Sequence, residues 1–247
     1  TLVVGADGAA SRVRKAIGIR QDYHAYNQHG LVAVVGKQKP NPGVAWQRFL
    51  PGGPLAFLPL ADGRSSIVWT QPSLEAERLL ALETGEFIGE LDTASRGWLG
   101  GVESCGPRAA FPLSMRLSES YAGRRTVLVG DAAHVVHPLA GQGVNLGLAD
   151  VAALAELLIR VRQIGGDIGS ATVLQKYDRS RRSESEAMSL GMHAIRSLFA
   201  IEGLSPVRRA GLALVKRSWT VKDMFLQRAA GVGENAPALA RGLSLQN

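Results

Sequence analysis

The 247 residues are 46% hydrophobic, enough to close a real core in one large domain or two modest ones. The net charge of +7 is unevenly spread: after Gly203, seven Lys/Arg face only Asp223 and Glu234, which argues against a nucleic-acid-binding core. A single cysteine, Cys105, excludes an internal disulfide and a thiolate-rich metal cage. No apolar run approaches the roughly 18 residues of a spanning helix and no signal-peptide pattern is present, so a cytoplasmic location is expected.

In chain order, residues 1–6 read as a buried strand, Asp7-Gly8 as a sharp turn, and Ser11 as the N-cap of a short helix through Ile17. The sequence opens inside that apolar strand without a methionine, which predicts a fragment of a longer protein. Residues 30–70 carry four apolar runs, GLVAVVG, VAWQRFL, LAFLPL and SSIVWT. PGGP and ADGR separate the last three, so an antiparallel meander is predicted. Pro72-Ser73 opens a helix over residues 74–91, with Leu74, Leu80, Phe87 and Leu91 on helical spacing. CGPRAAFPLSMRL predicts a strand kinked at Pro112, and RRTVLVGD a short buried strand. From Gly143 the residues Val144, Leu148, Val151, Ala155 and Leu158 step by four and three, an amphipathic helix ending at Gly165-Gly166. A second helix spans about 172–199, and a third begins at Ser205-Pro206. The plan is α+β: two strand–turn–helix units flanking an antiparallel sheet. A crevice between those layers is the default ligand site.

The stretch GDAAHVVHPLAGQGVNLGLAD, residues 130–150, carries the chemistry. Asp131, His134 and His137 lie three apart and are acceptable zinc or iron ligands. Pro138 breaks the helical face this spacing needs, and no fourth ligand stands near, so capping or core histidines outweigh a metal site. GQGVNLG imitates a dinucleotide fingerprint, yet that fingerprint wants its first glycine directly after the strand, and Gly141 comes eleven residues after Gly130. What survives is a glycine-rich helix start. Its free N–H groups and positive dipole end favour an anion or electron-rich oxygen beside Gly141–Gly143. Asp131, at the end of a strand, suits a carboxylate that accepts from ligand hydroxyls; the other reading has it capping the Ala132-Ala133 turn.

GDAAH, Pro138, GQG, Asn145 and Asp150 resemble the second flavin-binding motif of the class A aromatic flavoprotein monooxygenases, which share a 4-hydroxybenzoate-hydroxylase-like fold. VVGADGAASRVR resembles their Asp-Gly motif, with Asp7, Gly8, Ser11 and Arg14 in register. HPLAGQGVNLGLADV, AWQRFLPGGPLAFLPL, SIVWT, FPL and LQKYDRSRR narrow the likeness to the ubiquinone-biosynthesis hydroxylases, over nearly the whole chain up to about Gly203. One departure is large: the family's opening G-x-G-x-x-G unit, with its acidic residue about 20 positions on, is not in this sequence. The N-terminal half of the FAD site is therefore expected to be missing, and the chain alone to be inactive.

The resemblance implies FAD as cofactor and NAD(P)H as electron donor, with oxygen then inserted into the ring of a polyprenyl phenol. It implies that Asp131 binds the ribityl chain, and that Gly141, Gln142 and Gly143 present N–H groups to the N1/C2 carbonyl edge. Pro138 would wall the isoalloxazine and Asn145 belongs to the same motif, while Asp7 and Gly8 support the site from the other turn. Arg12 and Arg14 are candidates for nicotinamide phosphates, or for a solvated helix face. Trp46, Phe49, Phe57 and Trp69 would roof a substrate pocket, though core packing is the more ordinary role for each. No side chain stands out as an obligate acid or base.

The expected division is a partial FAD-binding domain over 1–22, an antiparallel-sheet substrate domain over 23–115, the FAD-binding continuation over 116–202 and a basic helical tail over 203–247. In the tail, Val207, Leu214 and Val221 beside Arg208, Arg209, Lys216 and Arg217 fit peripheral contact with an anionic inner membrane, a docking helix or a subunit contact in a homo-oligomer. Two alternatives stay open: a hydroxylase of a small soluble phenol, and a non-catalytic membrane or complex-assembly module.

Overall fold

The computed structural model of the chain describes residues 1–136, 143–200, 218, 219, 223 and 236–244. The expected mix of helices and antiparallel sheet is what the chain adopts. Its contacts divide it into two units, Thr1–His24 with Ser114–Asn247, and Ala25–Leu113.

The second unit is a sheet covered by two helices. Its strands are β2 (Gln21–Lys37), β3 (Trp46–Leu50), β4 (Gly53–Pro59), β5 (Ser65–Pro72), β6 (Val102–Cys105) and β7 (Ala109–Ser118), where β2 and β7 each begin or end outside the unit. The order is β7-β2-β5-β4-β3, with β6 also paired to β2. The predicted meander is therefore present, and the register explains its core. Leu31 and Leu55 both oppose Trp69, and Ala33 and Phe57 both oppose Ile67. Alternation of period two then sends all six side chains to one face, where each is buried. Leu79, Phe87 and Leu91 close that face from above. Fully burying one Leu, Ile or Phe side chain contributes about 1.5–3 kcal/mol, so this layer is the unit's main source of stability.

The single helix expected over residues 74–91 is two, α2 (Ser73–Ala81) and α3 (Thr84–Ser95). Leu82 and Glu83 turn extended between them, and Glu83 forms a capping box with Glu86. Arg108 ends the first helix by donating to the carbonyls of Leu79 at 3.1 Å and Leu82 at 2.6 Å. Leu74, expected on the apolar face, is 82% exposed; the inward positions of α2 are Ala76 and Leu79. β7 runs unbroken through Pro112, and the chain breaks earlier, at Gly106-Pro107.

The first unit holds a three-stranded sheet of β1 (Val3–Gly5), β9 (Thr126–Leu128) and β8 (Ala122–Gly123), with β1 parallel to β9. β10 (His134–Val135) pairs with the far end of β7. Helix α1 (Arg12–Ala16) follows β1, with Ser11 as the predicted N-cap and Ile17 as C-cap. Two long helices, α4 (Gly143–Gln163) and α5 (Ala171–Ala200), pack on one another. The apolar cluster joins Tyr121, Val127, Leu128 and Val129 to Leu154, Leu174 and Tyr177.

Two expectations fail here. Val3 and Val4 are about half exposed, because β1 lies at a sheet edge among the described residues; only Gly5 of the strand is buried. The apolar stripe of α4 faces out, with Val144 74%, Leu148 62% and Val151 51% exposed. The buried face carries Leu146, Asp150 and Leu154 instead. Both faces of this helix are apolar, so hydrophobic spacing alone does not choose between them. A close approach of glycines and a buried carboxylate, described below, make the choice. The third helix expected from Ser205-Pro206, and the tail residues Val207, Arg208, Arg209, Leu214, Lys216, Arg217 and Val221, lie outside the described residues.

Candidate functional site

Two turns of the first unit carry the predicted site residues. In the first, Gly8 has φ +80°, a left-handed conformation suited to glycine, and the chain doubles back into α1. Asp7 is committed to that helix start. Its carboxylate accepts from the Ser11 hydroxyl and from the N–H groups of Arg12 at 2.7 Å and Val13 at 3.1 Å. The Ser11 hydrogen bond, with the two backbone donors, holds the Asp7 pKa down at about 2 against the effect of desolvation.

Arg14 corrects both readings offered for it. It is 4% exposed, neither on a solvated face nor open to a nicotinamide phosphate. Its guanidinium donates to the carbonyls of Ala132 at 2.8 Å and Ala9 at 2.9 Å, and so belongs to both turns at once. Arg12 is exposed.

The second turn follows β9. Val129 is extended, Gly130 has φ +59°, and a short 3-10 turn, Gly130–Ala132, exposes Asp131 at the strand end. The Asp131 carboxylate makes no hydrogen bond among the described residues, so it does not cap the turn; Ala133 closes the turn through its own N–H to the Gly130 carbonyl. An exposed, uncommitted carboxylate on a fixed turn suits a ligand's hydroxyl groups.

His134 does not join Asp131. It is 1% exposed, and its Nε2 lies 2.6 Å from Oδ2 of Asp150, which is itself fully buried. The same Oδ2 accepts from the Gly130 N–H at 3.0 Å, and Oδ1 accepts from Arg181 Nε at 2.8 Å. Arg181, 1% exposed, also reaches Glu184 and the Leu146 carbonyl. Burial works against the Arg181 charge, yet the Asp150 carboxylate outweighs it and the guanidinium pKa is raised. Burial also pushes the neighbouring Tyr121 and Tyr177 phenols up. These three turn and helix contacts fix α4 against the turn. A Cβ on Gly147 would sit 3.2 Å from the Gly130 Cα, a contact that any larger side chain could make only by displacing the turn slightly.

Sequence reasoning missed the connected set of His134, Asp150 and Arg181, and the tie that Arg14 makes between the two turns. A signal was present: Asp150 stands in phase with Leu146 and Leu154, and Arg181 with Leu174 and Tyr177. A lone charge inside an apolar stripe points to a buried partner.

Gly143 and Asn145 lie in the first turn of α4, which contains no acidic residue, and a Cβ on Gly143 would meet nothing within 4 Å among the described residues. Pro138, Gly141, Gln142 and His137 lie outside the described residues. The donor set fits a flavin nucleotide: a free carboxylate for ribityl hydroxyls beside a helix start suited to an electron-rich edge. Among the described residues no group of three or more His, Cys, Asp and Glu could hold a metal ion. In the second unit, Phe57 and Trp69 are core side chains, Trp46 stacks on Trp98 at 5.1 Å, and Phe49 is 44% exposed.

Comparison with known proteins points the same way. The chain is 40% identical over 250 residues to "Ubiquinone hydroxylase UbiL" of Rhodospirillum rubrum, covering 99% of the chain and 58% of that protein. It is 36% identical over 233 residues to the 3-demethoxyubiquinol 3-hydroxylase of Escherichia coli, covering 94% of the chain and 59% of that protein. The chain thus spans under two thirds of the length of these relatives. Among solved structures, PqsL of Pseudomonas aeruginosa, a probable FAD-dependent monooxygenase, superposes with a TM-score of 0.67 at 26% identity, over 81% of the chain and 56% of that structure. The sequence model of the FAD binding domain family, FAD_binding_3, matches residues 1–189, and the chain belongs to that family.

Proposed function

We propose that this chain is the larger part of an FAD-dependent monooxygenase that hydroxylates the aromatic ring of a polyprenyl phenol in ubiquinone biosynthesis. Bound FAD would supply the redox chemistry, taking electrons from NAD(P)H and activating oxygen. The protein's part is to hold, orient and shield. Asp131 accepts from the ribityl hydroxyls. Gly141, Gln142 and Gly143 present backbone N–H groups to the electron-rich edge of the ring, with Asn145 of the same motif beside them, and Pro138 limits water there. Asp7 and Gly8 shape the other turn. Residues 1–22 and 116–202 form the FAD-binding domain, residues 23–115 the substrate domain, and 203–247 the basic tail that rests on a membrane face, another subunit or a biosynthetic complex.

The observation that carries this reading is the exposed Asp131 carboxylate, uncommitted to any described partner and held on a rigid turn against α4. Identity to the two ubiquinone-pathway relatives supports the substrate class. The test uses the full-length protein, purified and examined for bound FAD, then assayed for NADH or NADPH oxidation with a prenylated and with a carboxylated phenol. Hydroxylation of the prenylated phenol is expected. Turnover of the soluble acid alone moves the protein to the soluble-phenol hydroxylases, and a flavin-free protein without turnover makes it an assembly module.

A further inference from the structure

Asp150 is a carboxylate with no solvent contact and three donors. Arg181 Nε occupies Oδ1 at 2.8 Å, while the Gly130 N–H at 3.0 Å and His134 Nε2 at 2.6 Å share Oδ2. The His134 tautomer with its proton on Nε2 is the one that lets the ring donate to this carboxylate. Arg181 supplies the balancing charge and is tied in turn to Glu184, whose side chain is 43% exposed, so the network runs from the interior to the surface. A buried ion pair of this kind adds little net stability over well-packed apolar side chains. Its geometry is more informative than its energy.

The Gly130 N–H belongs to the residue just before Asp131, at the point where the backbone turns left-handed. Asp150 lies on α4 seven residues beyond Gly143, about 10 Å along the helix axis. One carboxylate thus bonds the Asp131 turn to α4, and Gly147 packs so close to Gly130 that a Cβ added to it would lie 3.2 Å from the Gly130 Cα. Asp150 is itself too deeply buried to touch that ligand.

We infer that Asp150, held by Arg181 and His134, is a positioning residue for FAD: it sets the Asp131 carboxylate relative to the α4 N-terminus so that both engage one flavin. This rests on the FAD reading above. A residue that only stabilised the core would change how much protein folds and leave the flavin affinity of the folded protein alone.

The test compares the full-length wild type with Asp150→Asn and with Arg181→Lys. Each is stripped of flavin and titrated with FAD by quenching of flavin fluorescence. The visible absorption band of the bound flavin and the thermal midpoint of the apoprotein are recorded alongside. Asp150→Asn is expected to weaken FAD by about tenfold to a hundredfold, as loss of a charge-assisted hydrogen bond implies, and to alter the band shape of the bound flavin. Arg181→Lys, which keeps the charge but not the Nε geometry, should lie between the two. Wild-type affinity and spectrum in both variants, with only the midpoint lowered, overturn the proposal and leave the FAD reading standing. Failure of both variants to fold overturns it as well, since the network is then core structure. A wild type that takes up no FAD removes the FAD reading and this inference together.

Discussion

The Arg14 guanidinium donates to the Ala132 carbonyl at 2.8 Å, joining two turns that lie 118 residues apart in the chain. The residue is buried, and its second bond, to Ala9, fastens the loop behind Gly8. One buried side chain therefore ties the Asp7 turn to the Asp131 turn.

Replacing Arg14 with methionine keeps most of the side-chain volume and removes both bonds. The buried Ala132 carbonyl and the half-buried Ala9 carbonyl then lose their partner, which costs about 1–3 kcal/mol in total. The urea midpoint of the full-length protein should fall accordingly. An unchanged midpoint would mean the two turns are held together without Arg14.

Gly147→Ala sets two effects against each other. Alanine improves the helix by about 1 kcal/mol over glycine. Its Cβ, however, would stand 3.2 Å from the Gly130 Cα, a backbone atom that Asp150 holds in place. Overpacking costs about 1–3 kcal/mol where neighbours cannot yield, so net destabilisation is expected. Thermal unfolding decides the sign, and a raised midpoint would show that the turn can shift.

Lys37 is buried, with its side chain 2% exposed. Its Nζ sits 4.7 Å from the centre of the Phe57 ring and 3.9 Å from Asp92 Oδ1, without a hydrogen bond. Burial pushes the Lys37 pKa down, with Asp92 pulling weakly the other way. The unfolded chain then binds the proton more tightly than the folded one, so this residue's contribution to stability rises with pH in the alkaline range below the usual lysine pKa. Lys37→Met should flatten that rise and stabilise the protein at neutral pH by about 1 kcal/mol. A lower midpoint for the variant would show that the contact with the aromatic rings outweighs the cost of burial.

Asp7 acts in the opposite window. Its pKa is lowered to about 2, so its contribution is complete above the ordinary carboxylate pKa near 4 and is lost as the pH falls toward about 2. Asp167, held near 2 chiefly by its hydrogen bonds with Arg125, titrates in the same range. Asp7→Asn should reduce, not abolish, the loss of stability between about pH 4 and 2, leaving the share of Asp167. Chemical denaturation at stepped pH measures it, and superimposable profiles for the two proteins would contradict it.

Local chemistry was enough to read much of this chain. Period-two alternation set the meander and its buried face, because a strand's side chains alternate whatever lies beyond it. Asp7, Gly8 and Ser11 specified a turn and a capped helix within a few residues. Asp131 was legible as an exposed carboxylate at a strand end.

What only the tertiary structure decided is where one part of the chain meets a distant one. Helix α4 is apolar on two sides, and its inward face was settled by Gly147 against Gly130 and by Asp150 bonding across 20 residues to that turn. Arg181, 31 residues beyond Asp150, became an interior cation for the same reason. Burial of a charge is favourable only where partners from other segments converge on it, and such convergence is a property of the fold and not of any local spacing.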